Sequence, residues 1–163
     1  MFPEHLITHA QSTLLECRAK HLKIVTAESC TGGLIAALLT EIPGSSDVFE
    51  RGFVTYSNQA KIKHLNVSIN TLERFGAVSK SVSCEMAQGA LQNSMADISI
   101  AVTGIAGPGG GSDDKPIGLV HIATAHKNGN ISHKEYRLGS IGRNEIRLST
   151  VTESLKLLKK AYF

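Results

Sequence analysis

The segment 27–33, Ala-Glu-Ser-Cys-Thr-Gly-Gly, carries the residue types with the clearest potential for chemistry. It places two nucleophile types side by side, the hydroxyl of Ser29 and the thiol of Cys30, ahead of a threonine and two glycines. Apolar runs at 22–25 and 34–39 flank it, the order of a strand, a tight turn and a helix. Such a turn presents a nucleophile beside backbone N–H groups that stabilise developing negative charge. The same residue types also cap ordinary helices, so the segment alone leaves both interpretations open.

A serine nucleophile needs a neighbouring base, and a tyrosine and a lysine are candidates. Tyr56 ends an apolar and aromatic stretch, and Lys61 lies about one turn into the helix predicted after it. A lysine acts as a base only where burial or a nearby positive charge lowers its pKa. Most proteins with this pattern have a half-buried tyrosine and a solvated lysine instead. None of the seven histidines lies in a glycine-rich turn or in a metal-binding spacing, so nothing singles out a histidine base.

A second glycine-rich segment, 103–112, follows the clearest predicted strand, 98–102. Its glycines allow backbone N–H groups to approach an anion closely. It lacks the Lys-Ser/Thr ending of a nucleotide-binding P-loop, and no helix follows as a dinucleotide-binding motif requires. A flexible connection is an equally good interpretation. Arg143, at the start of the last predicted helix, is a candidate phosphate clamp, with an ordinary surface arginine as the alternative.

The composition favours an ordinary globular protein. The 163 residues, 42% hydrophobic and 19% charged, predict a single folded domain spanning 1–163 with a substantial core. A net charge of +3 is too small to indicate nucleic-acid binding. The three cysteines lack CxxC spacing and predict free thiols. The start shows no signal-peptide pattern and no apolar run reaches about 20 residues, so we expect a cytoplasmic protein without membrane contact.

The elements that must position these residues alternate between strands and helices. Predicted strands lie at 22–26, 48–56, 98–102, 117–125 and 131–138, and predicted helices lie near 6–15, 33–40, 57–65, 79–95 and 146–158. The last two strands flank the turn 127–130 and predict a hairpin. Asn70 is predicted to cap a further short helical turn. This order predicts an α/β fold, a three-layer α/β/α domain with a mixed β-sheet.

Five motifs in fixed order resemble the CinA C-terminal domain family, the nicotinamide-nucleotide amidohydrolases or NMN deamidases of the PncC type. The motifs are 27–33, 43–46 (Pro-Gly-Ser-Ser), 54–61 (Val-Thr-Tyr-Ser-Asn-Gln-Ala-Lys), 76–79 (Gly-Ala-Val-Ser) and 101–110 (Ala-Val-Thr-Gly-Ile-Ala-Gly-Pro-Gly-Gly). The resemblance runs from about residue 5 to 160. It implies conversion of nicotinamide mononucleotide (NMN) and water to nicotinate mononucleotide and ammonia, in pyridine-nucleotide recycling toward NAD. It also implies an α/β fold, frequent dimerisation, and an amidase step that uses no metal or cofactor.

The resemblance also implies a set of site residues. Ser29 would be the nucleophile, Lys61 its base and Tyr56 a relay or orienting group. Backbone N–H groups of residues 30–33 would stabilise the oxyanion. The residues implied to bind the substrate are Cys30, Thr31, Gly32, Gly33, Ser79, Thr103, Gly104, Ala106, Gly107, Pro108, Gly109 and Arg143. Among them Thr31, Thr103 and the glycine loop would hold the ribose phosphate, helped by Ser79 and Arg143.

Three alternatives stay open at this point. Cys30 is a competing nucleophile, because a thiolate is intrinsically the more reactive group near neutral pH. A catalytically silent nucleotide-binding module associated with competence or DNA damage would keep the same pocket. An acyl- or phosphoryl-transfer enzyme on another nucleotide would need a metal or a cosubstrate. Relatives often show Gly-Asp-Arg where this chain has Ile141-Gly142-Arg143, which weakens the transfer of a role to Arg143.

Overall fold

The computed structural model describes residues 2–163, and within them one mixed sheet of five strands forms the centre of the fold. The strands are β1 (Ile24–Glu28), β2 (Phe49–Val54), β3 (Ile98–Gly104), β4 (Leu119–His126) and β5 (Ile131–Arg137). Their order across the sheet is β2-β1-β3-β4-β5. β1 pairs in parallel with β2 and β3, whereas β3, β4 and β5 pair antiparallel. The predicted mixed sheet and the predicted hairpin are therefore confirmed.

Helices cover both faces of this sheet. They are α1 (Glu4–Ala19), α2 (Leu34–Thr40), α3 (Asn58–Leu65), α4 (Ile69–Phe75), α5 (Lys80–Gln92) and α6 (Arg143–Tyr162). One apolar core joins α1, α2 and α6 to the sheet, and a second joins α3, α4 and α5 to its other face. The predicted three-layer α/β/α arrangement is confirmed. No helix among residues 2–163 combines the length and the apolar character needed to cross a membrane.

The central strand β3 contributes to both cores. Ile98, Ile100 and Val102 face the α1/α2/α6 side, whereas Ala101 faces α5 together with small residues of β4. A strand buried on both faces is apolar along its whole length, which is why this segment gave the clearest strand pattern. Its carboxyl end lies beside that of β1, since the two strands run parallel. The segments that follow β1 and β3 therefore meet at one edge of the sheet.

Element ends differ from the prediction where the backbone turns toward other partners. β2 ends at Val54 rather than at 56, because the next two carbonyl groups accept hydrogen bonds from Lys61. β4 begins at Leu119, because Gly118 has a left-handed φ of 88° and turns the chain into the strand. Asn70 was the wrong cap, since α4 has Ser68 at its N-cap position.

The helices α3 and α5 touch at Gly89, where a side chain has no room. A Cβ atom at Gly89 would lie 1.8 Å from the carbonyl oxygen of Leu65, the last residue of α3. Gly89→Ala therefore has to push the two helices apart, and we expect it to lower the free energy of unfolding by about 1–3 kcal/mol. Chemical denaturation measures this change.

The matched control for Gly89→Ala is Gly109→Ala. A Cβ atom at Gly109 meets nothing within 4 Å, and its φ is ordinary for an L-residue. We expect this variant to be as stable as the natural protein, or more stable, because alanine restricts the unfolded chain. Equal unfolding free energies for Gly89→Ala and the natural protein would contradict the proposed close contact.

Candidate active site

A cavity of about 210 Å³ lies at the sheet edge where the carboxyl ends of β1, β2 and β3 meet. Its lining residues come from the turn after β1, the start of α3, the segment before α5, the end of β3 and the start of α6. They are Ser29, Cys30, Tyr56, Lys61, Ala77, Val78, Thr103, Gly104, Ala106 and Arg143. The three residues expected to perform catalysis thus lie together at one cavity.

Ser29 and Lys61 form a direct hydrogen bond in this cavity, with 3.0 Å between Ser29 Oγ and Lys61 Nζ. Lys61 is 1% exposed, so its side chain runs through the interior and only its end reaches the cavity. Nζ also lies 2.8 Å from the carbonyl oxygen of Thr55 and 3.2 Å from that of Tyr56. Ser57 fixes the helix that carries Lys61, since its hydroxyl accepts a hydrogen bond from Ala60 N–H at the start of α3.

Burial lowers the pKa of Lys61 from 10.5 to about 8. Within residues 2–163 no carboxylate forms an ion pair with Lys61, so the cost of burying its charge outweighs the smaller opposing effect of Cys30, which raises the pKa. A neutral amine has two N–H bonds and one lone pair. When both N–H groups of the neutral Lys61 amine donate hydrogen bonds to the carbonyl groups of Thr55 and Tyr56, the nitrogen lone pair points to the Ser29 hydroxyl. This geometry is what a general base requires.

Cys30, the competing nucleophile, lies in a different electrostatic environment. Burial raises the pKa of its thiol from 9.0 to about 12, with the neighbouring Glu28 carboxylate adding to the effect. The thiol is 6% exposed and belongs to the apolar core under α2. A protonated thiol is a poor nucleophile, and the lysine amine contacts Ser29 instead. The geometry therefore favours Ser29.

The turn after β1 offers fewer oxyanion donors than the sequence predicted. Gly32 N–H donates to Ser29 O at 3.0 Å, and Gly33 N–H donates to a Glu28 carboxylate oxygen at 3.0 Å. Neither of these groups is available to a substrate. The N–H groups of Cys30 and Thr31 have no acceptor among the described protein atoms. The expected set of four donors at 30–33 is thus reduced to these two.

Glu28 is a residue whose role the sequence analysis missed. It is the last residue of β1, it is 0% exposed, and its carboxylate accepts four hydrogen bonds. The donors are Thr31 Oγ1 at 2.7 Å, Gly33 N and Ile35 N at 3.0 Å, and Ala36 N at 2.8 Å. Little in the sequence signalled this contact, because Glu28 ends the strand and does not occupy the N-cap position of α2, which is Gly33.

Tyr56 and Arg143 lie at the mouth of the cavity. Arg143 Nη2 donates to the Tyr56 hydroxyl at 3.3 Å, and Nη1 donates to the Gly107 carbonyl at 2.8 Å. The arginine therefore bridges the end of β2 and the glycine-rich loop. Tyr56 is 62% exposed, and its hydroxyl forms no hydrogen bond with Ser29 or Lys61. Tyr56 orients Lys61 through its backbone carbonyl rather than through its phenol.

Other expected substrate-binding residues have partners within the protein. The Thr31 hydroxyl is buried against Glu28, and the Thr103 hydroxyl donates to the Ala77 carbonyl at 2.9 Å. Ser79 caps α5, because its hydroxyl accepts from Val82 N–H at 3.3 Å, and the same hydroxyl donates to the Gly76 carbonyl at 2.9 Å. Each of these three hydroxyl groups donates its proton within the protein, and their expected role in binding the substrate phosphate stays a prediction.

The far part of the glycine-rich loop lies outside the cavity. Pro108 and Gly109 line a separate and more open cleft of about 600 Å³, together with Arg137 and Ser140. Gly107 contributes its carbonyl group to Arg143, whereas Gly104 and Ala106 line the cavity itself. The loop is thus divided between two concave surfaces.

Arg147 is a second residue that the sequence analysis missed. It follows Arg143 by one turn of α6, and its Nη2 donates to the Thr31 carbonyl at 2.8 Å. Its Nε atom is buried without a partner in the described part of the chain. The spacing of four residues on one helix was the available signal, since such residues share a face.

His121 is a buried residue of β4 that does not line this cavity. Its Nδ1 atom is 3.0 Å from His133 Nε2, between β4 and β5. Burial lowers the pKa of His121, and it lowers the pKa of His133 to about 4 with His121 adding to the effect. In residues 2–163 no three His, Cys, Asp or Glu side chains are grouped to hold a metal ion.

Comparison with known proteins gives a consistent result across the chain. The competence/damage inducible protein CihA from Agrobacterium tumefaciens has a crystal structure that superposes with a TM-score of 0.98 at 53% identity, over 100% of this chain and 99% of that one. A CinA superfamily protein from Escherichia coli superposes with a TM-score of 0.91 at 34% identity, over 98% of this chain and 93% of that one.

A curated relative, a putative competence-damage inducible protein from Caldicellulosiruptor saccharolyticus, is 52% identical over 141 residues, 86% of this chain. The chain spans 34% of the length of that relative. The model of the CinA C-terminal domain matches residues 7–162. The chain therefore belongs to the CinA C-terminal domain family.

Proposed function

We propose that this protein is a metal-independent amidohydrolase that converts NMN and water to nicotinate mononucleotide and ammonia, a step in the recycling of pyridine nucleotides toward NAD. The observation that carries the proposal is the Ser29 hydroxyl at 3.0 Å from a buried Lys61 amine whose pKa is lowered to about 8. A serine beside a neutral lysine amine is suited to acyl transfer. The family resemblance supplies the substrate.

In the first half of the proposed reaction Ser29 Oγ attacks the carboxamide carbon, and the hydroxyl proton moves to Lys61 Nζ. The resulting oxyanion accepts hydrogen bonds from the N–H groups of Cys30 and Thr31, the donors that the turn leaves unpaired. The intermediate collapses when the Lys61 ammonium gives its proton to the departing nitrogen. Ammonia leaves, and the substrate acyl group is bound to Ser29 as an ester.

In the second half a water molecule replaces the amine. Lys61, neutral again, accepts a proton from water as its oxygen attacks the ester carbon. The tetrahedral intermediate uses the same donors and breaks the bond to Ser29 Oγ, which recovers its proton from Lys61. One lysine thus serves as base and acid in both halves, which is consistent with a cavity that has a single amine at its end.

The size of the cavity supports a division of the substrate between two regions. A volume of about 210 Å³ is below the ~300 Å³ at which pockets for whole drug-sized ligands begin. We therefore place the carboxamide and its ring in the cavity and the ribose phosphate at its mouth. Arg143 lies there with N–H groups beyond the two that bind Tyr56 and Gly107.

Arg143→Met tests the placement of the phosphate. A charged hydrogen bond contributes about 1.5–3 kcal/mol, so we expect kcat/KM for NMN to fall roughly 10- to 100-fold. Nicotinamide riboside lacks the phosphate, so its kcat/KM should change much less. The measurement is the ratio of kcat/KM for NMN to kcat/KM for the riboside. Loss of the hydrogen bond between Arg143 and Tyr56 would affect both substrates alike and leave this ratio unchanged. Equal losses for both substrates would contradict a phosphate contact at Arg143.

Incubation of the purified protein with NMN and with the riboside tests the reaction itself. We expect ammonia and nicotinate mononucleotide in equal amounts, with the same rate in EDTA. Calorimetric binding of NMN without product would instead favour the catalytically silent binding module. Loss of turnover in EDTA would contradict the metal-independent step.

A further inference from the structure

We propose that Glu28 is a positioning residue for catalysis, whose buried carboxylate holds the turn 29–33 in the conformation that keeps Ser29 against Lys61. The inference rests on the proposed function, because it assigns Glu28 to the same reaction. Glu28 precedes Ser29 directly in the chain, yet its side chain does not line the cavity. It therefore acts on the reaction through the backbone.

The contacts of Glu28 tie the turn to the helix behind it. Oε2 accepts hydrogen bonds from the Thr31 hydroxyl, Gly33 N–H and Ile35 N–H, while Oε1 accepts from Ala36 N–H. These donors extend from the middle of the turn into the first turn of α2. The carboxylate is 0% exposed and has no cationic partner among the ion pairs of residues 2–163. Its charge is satisfied by these four donors.

The turn needs such an anchor because of its own residues. Gly32 and Gly33 have left-handed φ angles of 62° and 96°, and glycine loses more conformational freedom on ordering than any other residue. Glu28 fixes the side-chain oxygen of Thr31, and Arg147 fixes its carbonyl oxygen at 2.8 Å. Thr31 is therefore held from two sides. The peptide groups that carry the two unpaired N–H donors lie next to these fixed points.

The hydrogen bonds of Glu28 also make the backbone N–H groups at the start of α2 unavailable to the substrate. N–H groups at the start of α2 are the usual donors to an external anion, but here a carboxylate of the protein occupies them. Glu28 thus makes the turn 29–33 rigid, and it leaves no free N–H groups of Gly33, Ile35 and Ala36 to attract an anionic substrate. A displacement of about 1 Å in a reacting group costs about 100-fold in rate. The effect of losing this anchor should therefore appear in kcat.

Glu28→Gln tests the inference, since glutamine keeps the volume but places an NH₂ group where N–H donors need an acceptor. We expect kcat with NMN to fall about 100-fold, with KM within about threefold and with an unchanged pH midpoint of the rate. A residue that served stability alone would lower the melting temperature without this selective loss of kcat. A kcat within threefold of the natural protein would overturn the proposal.

Ser99→Ala is the matched control. Ser99 is also buried, and its hydroxyl donates to the Ala87 carbonyl at 2.8 Å, between β3 and α5. This variant loses a buried hydrogen bond away from the cavity, so it should lower the melting temperature and leave kcat unchanged. If Glu28→Gln does not fold, Thr31→Val removes one of the four donors and keeps the carboxylate. Unchanged kcat in folded Thr31→Val would then overturn the proposal.

Labelling of Ser29 with a fluorophosphonate separates this inference from the proposed substrate. The probe reacts with an activated serine hydroxyl, whether or not NMN is hydrolysed. We expect rapid labelling of Ser29 in the natural protein and slower labelling in Glu28→Gln and Thr31→Val. Labelling without hydrolysis of NMN would refute the substrate and leave Glu28 in place. Equal labelling rates in all three proteins, or no labelling in any, would overturn the role of Glu28.

Discussion

Replacing Ser29 with alanine should reduce kcat/KM for NMN by on the order of 10⁴-fold or more. The reason is that, among residues 2–163, Ser29 carries the only hydroxyl or thiol group hydrogen-bonded to Lys61 Nζ, with 3.0 Å between Oγ and Nζ. Binding should survive, because the side chain is small and the backbone donors of the turn remain. The measurement is ammonia release under steady-state conditions, combined with calorimetric binding of NMN to the variant. A Kd close to the KM of the natural protein would separate loss of chemistry from loss of binding.

Cys30→Ala is the control for this variant, because it alters the neighbouring nucleophile. Burial keeps the Cys30 thiol protonated, with a pKa raised to about 12. We expect the variant to retain activity within about tenfold of the natural protein, the remaining loss coming from the gap beneath α2. The opposite pattern, with activity lost in Cys30→Ala and kept in Ser29→Ala, would assign the attack to the thiol.

Lys61→Met should lower kcat/KM by about 10²- to 10⁴-fold, the contribution expected of a general base. Methionine keeps most of the buried length of the side chain and removes the amine.

The pH dependence of kcat/KM provides the second readout. Lys61 must be neutral to accept the proton, and its pKa is lowered to about 8. The kcat/KM of the natural protein should therefore rise with pH, level off above about 8, and at pH 6 lie roughly 100-fold below the plateau.

The residual activity of Lys61→Met should lack this rising limb, because the group that titrates is absent. Lys61→Arg is the charge-matched control, since a guanidinium stays protonated and cannot accept the proton. It should be as inactive as Lys61→Met. A pH-independent rate between 6 and 9 in the natural protein, or normal activity in Lys61→Met, would remove Lys61 as the base.

Local patterns were sufficient to predict much of the fold. The apolar run of β3 and the hairpin of β4 and β5 each depend on residues close in the chain. The mixed sheet followed from the order of these elements, since strands separated by helices pair in parallel and a short turn joins antiparallel neighbours. Ser29 was predicted as a candidate nucleophile for the same reason, because its turn lies between an apolar strand and an apolar helix.

The partners of the site residues were harder to predict, because they come from distant parts of the chain. Nothing near Lys61 in sequence shows that its amine meets two carbonyl groups and a serine 32 residues earlier. The contact of the Thr31 hydroxyl with Glu28 was equally hidden, because it belongs to a buried network that a local pattern does not reveal. Ser79 is the N-cap of α5, a role that its position at the start of a predicted helix was sufficient to suggest.

The most direct test of the account is the identity of the residue that holds the acyl group during turnover. The natural protein is mixed with NMN, quenched in acid within the first turnovers, digested, and fragmented by mass spectrometry between Ser29 and Cys30. The account predicts an adduct on Ser29 with the mass of NMN less ammonia, absent from Ser29→Ala. An adduct on Cys30, or rapid release of ammonia without any adduct on Ser29 under conditions that trap esters, would contradict it.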